Sequence, residues 1–117
     1  MTERDDAPTF DVQTHRLALS VQQRHDVDRT YWLTLGKFES ALEHVDISIA
    51  PAEPSDSSWA YCQVTVRAHD RTSLLVEGVD QDIIACVSRA LRRAERELRR
   101  RSLGRRRDRS VELHGVA

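Results

Sequence analysis

The amino-acid sequence predicts an α+β fold in the order β-α-β-β-β-α, a four-stranded sheet with two helices packed on one face. Three observations predict it. Apolar residues alternate with polar ones around Val12, Ile47, Val64 and Val76, the period of half-buried strands. Two other stretches carry apolar residues every three or four positions, the period of amphipathic helices. The chain of 117 residues is of a length for one sheet-and-helix core.

The first strand is predicted at Phe10 to His15, where Phe10, Val12 and Thr14 alternate with Asp11, Gln13 and His15. Leu17 to Val21 reads either as strand or as the approach to a helix. From Asp26 to Leu42 the residues Val27, Tyr31, Leu35 and Phe38 define one helical face, with Asp26 or Asp28 as the N-cap. Gly36 weakens this helix by about 1 kcal/mol relative to alanine. Val45, Ile47 and Ile49 form the buried face of a second strand, expected to stop where Pro51 and Pro54 remove backbone donors. Pro51 to Ser58 then reads as a polar loop.

A long strand follows from Trp59 to Ala68, with Cys62, Val64 and Val66 inward and Tyr61, Gln63, Thr65 and Arg67 outward. The turn His69-Asp70-Arg71-Thr72 leads to a fourth strand with Leu74 and Val76 inward. The last helix is marked by Ile84, Val87, Leu91, Ala94 and Leu98, with Asp80 as the predicted cap and Gly104 as the predicted end. This divides the chain into a disordered acidic N-terminus (1–9), a single α+β domain (10–104) and a basic, frayed tail (105–117).

Net charge is −1, but it is unevenly spread. Residues 1 to 58 carry five Lys/Arg against eleven Asp/Glu, and residues 59 to 117 carry thirteen against eight. Between Arg89 and Arg109 eleven arginines face three acids, a local field that attracts polyanions whatever the total charge. No stretch approaches the roughly 20 apolar residues of a membrane span, and the start is acidic where a signal peptide is basic, so a cytoplasmic protein is expected. Cys62 and Cys86 lie in apolar-patterned segments and read as small buried side chains, with a single bridge as the other reading.

The five histidines show no metal-binding spacing, no glycine-rich phosphate loop exists, and no nucleophile, base and orienting group share elements. A binding module is therefore expected, and not an enzyme: no cofactor, no metal, no membrane, no small-molecule substrate. Arginines 89, 92, 93, 96 and 100 follow helical spacing and suit a phosphate backbone. The other reading of that face is a solvated surface with arginines paired to Glu95 and Glu97. Tyr61 and Arg67 could form a base-stacking platform, although Asp46 and Glu77 on the same face oppose phosphate.

The stretches Val45-Asp-Ile-Ser-Ile, Cys62-Gln-Val-Thr-Val-Arg67 and Leu75-Val-Glu-Gly-Val-Asp80-Gln-Asp, followed by the helix from Ile83 to Arg101, resemble the ribosome hibernation-promoting and ribosome-associated inhibitor family. The resemblance spans roughly Phe38 to Arg101 and is to the short form, without the dimerisation domain of long members. It implies binding in the decoding channel of the small ribosomal subunit, with basic residues on both helices contacting rRNA and translation held in check under stress. Carried onto this chain, the RNA-binding residues are Arg89, Arg92, Arg93, Arg96, Arg99, Arg100, Arg67 and Lys37. The first helix departs from the family, having only Arg29 and Lys37 against Asp26, Asp28 and Glu39. The alternative is a protein-interaction module with a family-like fold that has lost ribosome binding and pairs through its acidic half with itself, as a homodimer, or with a basic partner.

Overall fold

The computed structural model describes residues 8–53 and 56–116, with side chains for 8–53 and 58–101. The expected acidic N-terminus thus lies almost wholly outside the described residues, and the side chains of the basic tail lie outside them too. Four strands, β1 (Thr9–Thr14), β2 (Leu42–Glu53), β3 (Asp56–Ala68) and β4 (Ser73–Asp80), and two helices, α1 (Val21–Leu35) and α2 (Ile83–Val116), follow in the predicted order. The sheet is mixed, ordered β1-β2-β3-β4, with β1 parallel to β2 across the α1 connection and antiparallel hairpins for the rest.

Register aligns the inward side chains in rows across the sheet. Val12, Ile47, Val64 and Val76 form one row, and Phe10, Val45, Val66 and Leu74 another. Val27, Tyr31 and Leu35 of α1 and Val87, Leu91 and Ala94 of α2 close over these rows in one core. Phe10 stacks on Tyr31 with centroids 4.1 Å apart, which fastens α1 to the edge strand β1. The third row, Thr14, Ile49, Cys62 and Gly78, ends in a glycine. A Cβ there would sit 2.6 Å from the carbonyl oxygen of Cys86 and 3.0 Å from the nitrogen of Ala90, so only glycine lets α2 lie this close to β4.

Several boundaries differ from the sequence reading, each for a local reason. The first helix begins at Val21 and not at Asp26, because Ser20 and Gln23 form a capping box: the Ser20 hydroxyl accepts from the Gln23 amide and the Gln23 side chain accepts from the Ser20 amide. Leu17 and Leu19 precede it as irregular chain packed on the core. At Gly36 the α-helix gives way to a 3₁₀ segment, Gly36–Ala41, with the Trp32 ring lying over the glycine.

Strand β2 runs on through Pro51 to Glu53. Pro51 has the parity of Ile49, whose carbonyl accepts from His15 on the β1 side, so its missing N–H faces the edge where β1 has already ended. Asp82, and not Asp80, caps α2, its carboxylate accepting from the Ala85 amide. The helix continues through the predicted end at Gly104 to Val116, since arginine is a good helix former and one glycine costs only about 1 kcal/mol. The turn falls at 69–72 as predicted, with Arg71 at φ 73°, and both cysteines are free and buried.

Candidate nucleic-acid interface

The candidate residues are positioned by α2, which presses Cys86, Val87, Ala90, Leu91 and Ala94 onto the sheet and turns its arginines outward. Five of those arginines are held by partners. Arg89 pairs with Asp80 at 3.0 Å, Arg99 with Glu95 at 2.8 Å and Arg100 with Glu97 at 2.7 Å. Arg93 donates to the backbone carbonyl of Glu77 at 3.1 Å, and Arg101 to that of Ser73 at 3.4 Å. These exposed ion pairs add little stability, but they set where each guanidinium points.

Arg92 and Arg96 are different. Both are exposed, and no carboxylate or carbonyl among the described residues holds either guanidinium. They stand one turn apart on α2, about 6 Å along the axis at 1.5 Å per residue. With Arg89 and Arg93 they line an open groove of about 870 Å³ whose other wall is β4 from Glu77 to Asp80. An adjoining groove of about 600 Å³ continues past Arg93 and Arg96 along Leu74 to Glu77. The two unpaired guanidinium groups in this row can exchange condensed counterions on a phosphate backbone.

The other two candidates lie apart from that row. Lys37, in the 3₁₀ segment, bonds Glu95, which Arg99 also bonds, so it ties the end of α1 to α2. Arg67 projects from the open face of the sheet, 4.0 Å from Glu43. That open face carries Asp11 and Asp46 side by side in the β1–β2 register. Its aromatic, Tyr61, donates its hydroxyl to Glu77 at 2.6 Å, and this bond pushes the phenol pKa up to about 12. A stacking platform flanked by three carboxylates repels phosphate, and the Tyr61 hydroxyl is already occupied.

At the α2 entrance the Asp80 carboxylate accepts from the Asp82 amide and then from Arg89, which together hold its pKa below the ordinary carboxylate value. The free Cys62 thiol, hydrogen-bonded to Cys86 and buried, is pushed above the usual thiol range. No cluster of three metal-ligating side chains occurs among the described residues. Nor is any described helix long and apolar enough to cross a membrane. Sequence reasoning named the arginines of this helix but not which of them are unpaired, since which are occupied depends on β4 carbonyls and on Asp80. The spacing of Glu95 and Glu97 to Arg99 and Arg100 was the one readable signal.

No protein-family model matches the sequence, and no curated protein does. Among solved structures the chain is similar to the N-terminal domain of Thermus thermophilus Protein Y, at 19% identity and a TM-score of 0.64, over 80% of this chain and 97% of that one. It is also similar to a ribosomal subunit interface protein from Coxiella burnetii, at 8% identity and a TM-score of 0.70, over 81% and 98%. The fold is theirs. The likeness extends over about four fifths of this chain and nearly the full length of each neighbour.

Proposed function

We propose that the protein is a ribosome-associated, non-enzymatic factor that contacts small-subunit rRNA through α2 and modulates translation by occupying rRNA-lined space. The observation that carries this reading is the free pair Arg92 and Arg96 on an exposed helix beside an open groove. The fold shared with a protein described as a ribosomal subunit interface protein supports it. A ribosomal partner implies a cytoplasmic protein. Arg89, Arg93, Arg99 and Arg100 would join once phosphate replaces their present partners, whereas Lys37 and Arg67 serve α2 positioning and the open sheet face. α1 carries Arg24 and Arg29 against Asp26 and Asp28, so it offers no net positive charge to phosphate and the contact falls to α2.

Cosedimentation with small ribosomal subunits across a salt series tests this. Binding should weaken steeply with salt, and Arg92→Glu with Arg96→Glu should reduce the log–log slope by about 1 for each phosphate contact removed. Unchanged cosedimentation of that double variant overturns the reading. The second reading, a self-associating module, rests on the acidic first half facing a basic helix. A single sharp monomer in analytical ultracentrifugation at low salt removes it, because charge-driven pairing is strongest there.

A further inference from the structure

Strand β4 is the last in the sheet, so one side of its backbone has no neighbouring strand. The Ala68 amide bonds Thr72, which fixes the even-numbered residues of β3, and by register those of β4, as the ones that pair within the hairpin. The N–H and C=O groups of Ser73, Leu75, Glu77 and Val79 therefore face outward. Most edges of this kind are blunted by proline, bulges or inward charges. Here the edge has no proline and no bulge over its eight residues, and its one inward charge, Asp80, sits at the very end, paired with Arg89. Two of its outward carbonyls, at Glu77 and Ser73, are instead held by Arg93 and Arg101 reaching over from α2.

We infer that β4 is a docking edge for an extended acidic segment of a partner protein, which adds as a fifth strand. The two grooves lie on either side of Arg93 along this edge, with Arg89, Arg92, Arg93, Arg96 and Glu97 on the helix side. On the sheet's open side the edge presents Leu75 and Val79, 55% and 47% exposed. Alternate side chains of an added strand point to opposite faces. One set meets Arg92, Arg93 and Arg96, and the other lies beside Leu75 and Val79. The segment that fits thus alternates Asp or Glu with apolar residues. On docking, its amide replaces Arg93 at the Glu77 carbonyl, and the released guanidinium pairs with an incoming carboxylate.

Charge decides between occupants. Two copies joined antiparallel through β4 share a two-fold axis perpendicular to the sheet, which keeps both α2 helices on one face. That brings two arginine rows together, and like charges repel. An acidic partner meets the same row with attraction. The inference goes beyond rRNA contact, because it uses the β4 backbone, which phosphate binding does not.

The test is fluorescence anisotropy of the full chain with a labelled, end-blocked peptide of four Val-Glu repeats. Saturable, salt-sensitive binding is expected. Leu75→Pro removes one outward donor while leaving the β3 pairing intact, and should weaken peptide binding roughly tenfold, the worth of a lost hydrogen bond. Cosedimentation with ribosomal subunits should be unchanged in that variant, so the two readings fail separately. If Leu75→Pro does not fold, a peptide N-methylated on its edge-facing amides makes the same cut on the partner, again with roughly tenfold loss expected. Equal binding of the methylated peptide, or of a block peptide with the same composition, overturns strand addition in favour of plain charge attraction. A wild-type dimer that Leu75→Pro abolishes assigns the edge to a second copy and also overturns it.

Discussion

Tyr31 has a hydroxyl that no hydrogen-bond partner reaches, inside a residue only 1% exposed. Burial first, then Glu39 and Asp28, raise its pKa above the ordinary phenol value. A raised pKa means that this contribution to stability is fully present below the unfolded-state value near 10 and is lost as pH rises from there through the folded-state value. At neutral pH the cost is therefore the unpaired hydroxyl and not ionisation. Tyr31→Phe keeps the stacking on Phe10 and should raise stability by about 1 kcal/mol, read as a higher urea midpoint at unchanged slope. A lower midpoint would show that the hydroxyl has a partner in solution. The inward face Val27, Tyr31, Leu35 was legible from spacing. The unpaired hydroxyl was not, because it depends on Phe10 arriving from another strand.

The contact between β4 and α2 depends on Gly78. Gly78→Ala places a methyl group against the backbone of Cys86 and Ala90, which cannot rotate away as a side chain would. Overpacking of this kind costs about 1–3 kcal/mol, so thermal unfolding should shift down by several degrees. An unchanged melting temperature would mean that α2 has room to slide. Periodicity alone identified both elements, but it carried no sign that one row of the sheet had to end in a glycine. Boundaries were legible where a pattern changed and illegible where a cap decided. Ser20 with Gln23 started α1 earlier than its apolar stripe, and Asp82 displaced Asp80 as cap of α2. Pro51 reads as a strand breaker until the end of β1 beside it is known.

Across the molecule, the charge asymmetry of the linear sequence becomes a separation in space: guanidinium groups on the outer face of α2, carboxylates on the open face of the sheet. The sequence could identify the basic helix, yet not its unpaired arginines, since Asp80, Glu95, Glu97 and two β4 carbonyls each occupy an arginine. The two thiols have a consequence on the same scale. Cys62 sits in mid-sheet and Cys86 in the first turn of α2, both fully enclosed, with Cys86 donating to the carbonyls of Ala60 and Gly78. A thiol reagent reaches them only when the molecule opens, so labelling under native conditions becomes a clock for that opening. Both cysteines should react at one common rate, as mass spectrometry of each labelled site can resolve. Faster labelling of Cys86 would reveal a helix that detaches from a still-folded sheet.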